Sequence, residues 1–432
     1  MTERGTVGRA TGNAASAGAH KQEFDELSVA GHISFIFEDP PELTAFVVPY
    51  IRNGLAEGKR CVYVFGELER SVLTGALVAG GVNVKREMAR DALILLSARE
   101  YYALPPFDAL RVIELMRRRE IEASARGFTG LRIAGDMTWT LQEGVGDEAL
   151  VEYESLLDGA GIPGSVTAAC IYRRDRFRPA VLQRLINCHR RVIADDCVLL
   201  GLSALFQNLA RPDLQRLQQS AAERHKRKGE FYFHQGDPAT EYFVLSSGKA
   251  KLVRTEADGR SVIIRIVGPT EPFTNPGALL NGEQGFASAQ AMEDSRAFVW
   301  DASTILWEMT HHPVVSLNTI RLMAERSYEN AVRLRDLATA NVERRLARLL
   351  LRLAQSMGRK TSGGVVIEVP LSGRDLAELT IATPYTVSRI LAGWRRRRVA
   401  DMQHQRIRIL DSQRMAALAG VRSKRKASQV LR

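Results

Sequence analysis

Nowhere in this sequence do about 18 apolar residues follow one another, so no segment is long enough to cross a bilayer as a helix. Cysteine is scarce too: Cys61, Cys170, Cys188 and Cys197 are widely spaced and form no CxxC pair. That spacing excludes a disulfide framework and a cysteine zinc site, and it fits reduced structural thiols in a cytoplasmic protein. An N-terminal cysteine cluster for an iron–sulfur centre is missing, and no haem ligand set is evident. His225 and His234 read as surface or strand histidines, so no cofactor or metal is expected. Residues 1–19 contain no apolar core, which leaves no room for a secretory signal and marks 1–22 as an expected disordered tail. The last fifth of the chain lacks acid. Residues 342–432 hold 20 Lys+Arg against 6 Asp+Glu, whereas the rest holds 40 against 43. Basic charge gathered on one terminal domain is the footprint of a nucleic-acid binder.

What is present is ordinary globular material, 45% hydrophobic and 25% charged over 432 residues, enough for two to four domains. From His32 to about Cys197, apolar runs alternate with helical stretches. HISFIF, RCVYVFG, ALILLSA, GLRIAGDM and SVTAACIY read as buried strands, with helices over 41–55, 69–79 and 107–126 between them. This alternation implies a mostly parallel sheet with helices on both faces, a three-layer α/β domain. From Arg227 to Asp301 the texture changes to short β-like runs broken by Gly, Pro and Asp, as in a jelly-roll-like β-roll. A long helix is expected over 303–337, with Pro313 near its start. On it Leu317, Ile320, Ala324, Ser327, Ala331, Leu334 and Ala338 recur at spacings of three and four. Such a narrow seam with charged flanks fits pairing with a second copy, and the other reading is a helix packed on its own β-roll.

The segment 342–411 carries the chemistry. An amphipathic helix places Val342, Leu346, Leu349, Leu350 and Leu353 on one face, and the strand VVIEVP follows. Ser372 with Asp375 three residues on forms a capping box at the start of another helix. After a turn through Thr380–Ala382, Thr383 caps a second helix with Pro384 at its first position. RIRIL reads as a wing strand. Helix, tight turn and helix flanked by strands make a winged helix-turn-helix. Val387, Ile390, Leu391 and Trp394 form the buried face of the second helix. Thr383, Tyr385, Thr386, Ser388 and Arg389 stand where such a helix meets DNA, and Arg389 suits a bidentate contact to guanine O6 and N7. Arg395 to Arg398, with Arg395 and Arg396 foremost, suit phosphates.

These residues, together with FHQGDPATEYFVLSSGKAKL (Gly236 and Gly248), DLAEL and TVSR, resemble the CRP/FNR family of bacterial regulators over about 205–418. The resemblance implies a cyclic-nucleotide-binding-type β-roll, a long dimerisation helix and a winged helix. It puts Ser388 and Arg389 on base-reading positions and Tyr385 where a glutamate is usual. It also shows a departure. Cyclic-AMP-binding members carry a glutamate and an Arg-Ser pair, and here those positions read Pro276, Gly285 and Phe286. A phosphodiester is thereby expected to find no charged partner in the β-roll pocket.

The stretch HISFIFEDPPELTAFVVPYIRNGLAEGKRCVYV, followed by LRIAGDMTW, resembles the MEDS sensory domain of DcmR-like regulators over about 24–197. That resemblance implies a domain for sensing small hydrocarbon-derived compounds, with a pattern distantly like RecA-type ATPase cores. GLAEGKR superficially matches a phosphate loop, but it is one residue short, Arg60 replaces the Ser/Thr, and it precedes a strand. An enzyme is not expected. His32, Asp136 and Trp139 are the candidate effector pocket, because GDMTW follows a strand C-terminus, where parallel sheets open onto ligand crevices. Each has a plainer reading: Trp139 as core, Asp136 as a turn cap, His32 as a satisfied edge residue. Cys61 and Cys170 read as core.

The expected organisation is a tail (1–22), a sensory α/β domain (23–197), a β-roll (205–302), a dimerisation helix (303–340), a winged helix-turn-helix (341–420) and a basic tail (421–432). The expected function is a homodimeric, sequence-specific transcription regulator that binds promoter DNA. Its further expected partners are RNA polymerase and an unidentified small effector sensed by the first domain. The alternative is a sensory scaffold working through protein contacts, with a vestigial β-roll.

Overall fold

The computed structural model describes residues 31–66, 68–102, 107–159, 165–188, 192–274, 284–361 and 363–421. The tail 1–22, the basic tail beyond Val421, and Pro276 lie outside them. Contacts divide the chain into two units: one runs to Gly144 and again over Gly161–Arg173, the other comprises Val145–Ala160 and Arg174–Arg432. The expected sensory span is thus shared between the two.

In the first unit, β1 (Gly31–Phe37), α1 (Pro40–Ala56), β2 (Arg60–Phe65), α2 (Arg70–Ala79), α3 (Val84–Ala89), β3 (Leu93–Ser97), α4 (Ala98–Tyr102), α5 (Ala109–Ala125), β4 (Leu131–Asp136) and α6 (Trp139–Gln142) follow in order. Helix α7 (Asp147–Gly159) belongs to the second unit, and β5 (Val166–Arg173) returns to the first. The strands lie in the order β3-β2-β4-β5-β1 and pair in parallel. Their near-continuous burial is what a sheet covered on both faces requires. Helices α1, α3 and α5 begin where a short polar side chain meets their orphan amides: Asp39 accepts from Glu42 N, Asn83 from Arg86 N, and Asp108 from Leu110 N and Arg111 N.

The second unit continues with α8 (Pro179–Cys188), β6 (Val192–Ala194), α9 (Asp196–Leu202) and α10 (Arg211–Ser220). The β-roll follows as β7 (Ala222–Lys226), β8 (Phe231–Phe233), β9 (Glu241–Ser247), β10 (Ala250–Thr255), β11 (Ser261–Val267), β12 (Ser288–Ala291) and β13 (Ser295–Asp301). Two antiparallel sheets form it, β11-β10-β12-β8 and β7-β13-β9. Gly248 makes the β9–β10 turn at φ 77, and a Cβ there would stand 2.5 Å from Asp294 O, so the position needs glycine. The inner faces interdigitate through Phe243, Leu245, Phe273, Ala289 and Val299.

The single long helix expected over 303–337 is two helices, α11 (Ala302–His311) and α12 (Pro313–Thr339). Pro313 has no N–H to continue α11 and pushes His312 out of the helical region, to φ −120 and ψ 91. The winged helix comprises α13 (Val342–Met357), β14 (Gly358–Thr361), β15 (Gly364–Ile367), α14 (Gly373–Thr380), α15 (Pro384–Arg396), β16 (Ala400–Gln403), β17 (Arg406–Ile409) and α16 (Ser412–Leu418). Its core is continuous with the β-roll: Val253, Ile263, Ile266 and Met292 pack in one cluster with Leu350, Leu376, Leu379 and Trp394. Among the described residues no helix is long and apolar enough to cross a membrane.

Candidate nucleic-acid interface and candidate sensory residues

Helix α15 is fixed on one side and open on the other. Val387 and Trp394 are fully buried, and the Trp394 indole N–H donates to Glu343 Oε1 at 2.8 Å. Arg397 joins the same carboxylate at 2.7 Å. Burial pushes the Glu343 carboxyl up, but these two hydrogen bonds and the Arg397 charge outweigh it and hold it below the usual carboxylate range. The helix is thereby clamped to α13 while its N-terminal half faces solvent. Tyr385 is 76% exposed, and Ser388 and Arg389 are exposed without a partner among the described residues. Thr383 is the N-cap: its hydroxyl accepts from Thr386 N at 3.2 Å and meets the Thr386 hydroxyl at 2.9 Å. Those two hydroxyls are therefore engaged in starting the helix. Arg395 lies 3.5 Å from Asp401, and Arg396 is exposed.

The helix before it is set by the capping box, with Ser372 Oγ accepting from Asp375 N at 3.1 Å and Asp375 Oδ2 accepting from Ser372 N at 2.9 Å. The other Asp375 oxygen accepts from Lys251 Nζ of β10 at 2.6 Å. Burial raises the Asp375 carboxyl, but the bonds from Lys251 and Ser372 and the lysine charge prevail and lower it. The turn between the two helices passes through Ile381 at φ 50, ψ 60, a left-handed residue with a branched β-carbon. Arg345 holds this turn from below, donating to Thr380 O at 3.1 Å and Ile381 O at 3.3 Å.

The wing is a hairpin, not the lone strand the sequence pattern shows. Strand β16 pairs antiparallel with β17 through His404 and Gln405, both at positive φ. A two-residue turn of this kind is usually signalled by Asn-Gly, and His-Gln hid it. Arg406 and Arg408 are exposed on β17 and add cations that sequence reading did not single out.

The seam on α12 is exposed in the single chain: Leu317 is 54%, Ile320 62% and Leu334 69% accessible, and Ala324 and Ala331 are exposed as well. The opposite face does the packing, through Val315, Asn318 and Thr319. A helix lying with this stripe on its own β-roll is not what is found.

Between the β-roll, α12 and α13 lies a cavity of about 810 Å³. Gly285 and Phe286 line it; the Gly285 N–H is engaged by Asp237 O at 2.8 Å, and the Phe286 ring sits under Arg254. The expectation of a pocket without cations is corrected, because Arg265, Arg326, Arg333 and Arg352 also line it. They come from β11 and the helices, outside the motif positions on which that expectation rested. All four are already engaged: Arg265 with Glu271 and Pro272 O, Arg326 with Pro272 O, Arg333 with backbone carbonyls, and Arg352 with Asp336 at 3.7 Å.

In the first unit, strand alternation decides which candidate residues meet. His32 is in register with Ala168 and Ile133, and Asp136 with Ile171 and Phe35, so the two side chains stand on opposite faces of the sheet. Fully buried Asp136 accepts from Thr138 N at 3.0 Å and Thr138 Oγ1 at 2.7 Å, a turn cap. The neighbouring Tyr63 hydroxyl is pushed well up by its own burial and, second, by the Asp136 charge. His32 Nε2 lies 3.3 Å from Cys170 Sγ. Trp139 stacks on Tyr102 at 4.4 Å, and Tyr102 Oη occupies the space a Cβ on Gly135 would take. His32, Cys170, Tyr102 and Trp139 thus share one face around Gly135. Cys170 and Tyr102 were missed, because only the parallel register puts them there. Cys61 is a core thiol, pushed up to about 12 by burial. Gly54, of the apparent phosphate loop, lies inside α1 against Cys61 and the Arg132 side chain. Gly58 makes the left-handed turn into β2.

A β-roll, a helix with an exposed apolar seam and a winged helix with an open basic recognition helix define a helix-turn-helix transcription regulator. Three family models match the chain: the MEthanogen/methylotroph, DcmR Sensory domain over residues 31–190, the cyclic nucleotide-binding domain over 223–312 and the Crp-like helix-turn-helix domain over 344–418. The CRP-like cAMP-activated global transcriptional regulator of Mycobacterium tuberculosis is 27% identical over 221 residues, 51% of this chain and 98% of that protein. The cyclic AMP receptor protein of Thermus thermophilus is 29% identical over 189 residues, 44% of this chain and 84% of its own. The solved structure of FixK2 from Bradyrhizobium japonicum aligns with TM-score 0.41 and 21% identity, covering 46% of this chain and 96% of that one. The chain carries a MEDS domain, a cyclic nucleotide-binding domain and a Crp-like helix-turn-helix domain, the make-up of a CRP/FNR-type transcription regulator.

Proposed function

We propose that this protein binds promoter DNA as a homodimer and reads it with α15, under the control of a small effector sensed by the MEDS domain and not of cyclic AMP. Arg389 carries the reading: an exposed guanidinium, unpartnered among the described residues, on the N-terminal half of a helix whose other face is locked. Arg389 and Ser388 contact bases, Tyr385 and Thr386 flank them, and Arg395 and Arg396 meet phosphates. Leu317, Ile320, Ala324, Ala331 and Leu334 pair two copies, which spaces two half-sites about one helical turn apart. RNA polymerase is the partner through which such binding would act on transcription. His32 and Trp139, with Cys170 and Tyr102, form the sensory pocket, and Asp136 fixes the turn that positions Trp139. Independence from cyclic AMP is supported by Gly285 and Phe286, which offer a phosphate no side-chain donor.

The test is selection from a pool of random duplexes by the full chain at two salt concentrations. A two-fold symmetric sequence should be enriched and should outlast added salt better than the bulk pool. Arg389→Ala should lose about 1–3 kcal/mol of discrimination while keeping most non-specific affinity. Enrichment of no sequence, or an unchanged preference in Arg389→Ala, would overturn the reading.

A further inference from the structure

Helix α8 falls inside the span matched by the sensory model, yet it belongs to the second unit, with the β-roll and the winged helix. Its Gln183 side chain grips a single peptide in the chain that follows β11. The amide nitrogen donates to Pro269 O at 2.8 Å, and the Thr270 hydroxyl donates to the amide oxygen. The next residue, Arg184, forks onto Glu148 of α7 with bonds of 2.5 and 2.8 Å, so α7 and α8 are tied together.

Thr270 is under backbone strain. It is 2% exposed, has a branched β-carbon and sits at φ 65, a region such side chains avoid. A residue stays there only while its surroundings over-determine it. Two contacts of its own do so, the Gln183 amide and Leu245 O, which accepts from Thr270 N at 2.6 Å. The chain beyond is tied to β9 by Leu245 N donating to Glu271 O and Phe273 N donating to Phe243 O, both at 3.1 Å.

The segment leads directly to the DNA-binding domain. Pro272 O accepts from Arg265 at 2.6 Å and from Arg326 of α12 at 2.8 Å. Seven residues on, two turns along the same side of α12, Arg333 donates to Ile263 O and Ile264 O of β11. The same guanidinium donates to Leu379 O at 2.8 Å, at the end of α14, where the turn to the recognition helix begins.

The geometry points to one train of hydrogen bonds joined by backbone, Gln183 to Thr270, along the chain to Pro272, to Arg326, along α12 to Arg333 and on to Leu379 O, through which the last helix of the sensory span sets the position of the helix-turn-helix. Thr270 is its two-state element. Gripped by Gln183 it stays left-handed and keeps Pro272 O on Arg326. Released, it relaxes toward extended backbone, Pro272 O withdraws, and α12 loosens its hold on α14. This names a route for the regulation proposed above and rests on that reading only where DNA affinity is measured.

The test uses the full chain, with amide hydrogen exchange as a readout that needs neither DNA nor effector. Gln183→Ala should speed exchange about tenfold over 268–274 and also, remotely, over 376–382, with 31–144 unchanged. Glycine adopts positive φ freely, so Gln183→Ala combined with Thr270→Gly should return both segments to nearly the parent rate. Affinity for the selected duplex should shift at least about threefold in Gln183→Ala and return in the double variant. Unchanged exchange over 376–382 in Gln183→Ala would overturn the route, and so would faster exchange that Thr270→Gly fails to rescue, the result a general loosening gives. A chain that selects no duplex but shows the rescued exchange pattern would retire the DNA reading and keep the route.

Discussion

Ile381 shows how a single residue can work against its own position. The turn between α14 and α15 needs a left-handed residue, and most side chains lose about 1–2 kcal/mol there. Isoleucine, branched at Cβ, is among the least suited, and with 46% of its surface exposed its side chain recovers little by packing. Glycine would remove the strain at the cost of extra backbone entropy in the unfolded chain. Ile381→Gly should therefore stabilise the protein by about 0.5–1 kcal/mol, read as a higher denaturant midpoint with an unchanged slope. A lower midpoint would mean that the side chain contributes packing its exposure does not reveal. Sequence reading placed the turn correctly over Thr380–Ala382 but had no means to see the strain, because φ is set by the helices on either side.

At the scale of elements, α14 is held at its first turn by Asp375, which closes the capping box and meets Lys251 of the β-roll. Its carboxyl is lowered in the folded chain, so its contribution is complete above the ordinary aspartate range near pH ~3.9. The contribution then fades as pH falls through the lowered folded value, since the unfolded state takes up the proton first. Asp375→Asn should cost stability at pH 7 and flatten the acid limb below about pH 4. Equal pH slopes for parent and variant in denaturant unfolding would show that Asp375 does not link the two. Helix α12 carries the second element-scale prediction. Its apolar seam is exposed while Val315, Asn318 and Thr319 anchor the other side. Leu334→Arg places two charges against each other across a two-fold interface, so sedimentation at micromolar concentration should shift from dimer to monomer. A parent already monomeric, or a variant still dimeric, would remove the seam from the interface.

Across the second unit as a whole, the β-roll cavity is where a cyclic nucleotide would have to act. Its four arginines come from β11 and the helices, and all are engaged, three by carbonyls or Glu271 and Arg352 by Asp336. A cyclic phosphate would need to displace those bonds, and Gly285 and Phe286 offer no side-chain donor in return. Calorimetry with cyclic AMP or cyclic GMP should therefore register no saturable heat in the micromolar range. Micromolar binding that alters affinity for the selected duplex would show that the helix arginines do exchange partners. The winged helix and the β-roll share one core, from Ile263 and Ile266 to Leu376 and Leu379. A shift in either is felt by the other, because packed interiors transmit strain.

Periodicity and punctuation alone were enough for the five parallel strands, the capping box at Ser372, the Thr383–Pro384 helix start and the charge gathered after 342. Each of these is a local property, a repeat of two or 3.6 residues or a cap within three positions, and local patterns survive in one dimension. Other features depend on which strand lies beside which. His32 and Asp136, both candidates for one pocket, part to opposite faces because their registers on β5 differ by an odd number of residues. Cys170 and Tyr102 join His32 and Trp139 only through that same register. The arginines of the cavity and the Gln183–Thr270 grip join residues far apart in the chain, and no spacing rule encodes such pairs. Tertiary packing decided them, since a guanidinium or amide leaving water must find its acceptors wherever the fold supplies them.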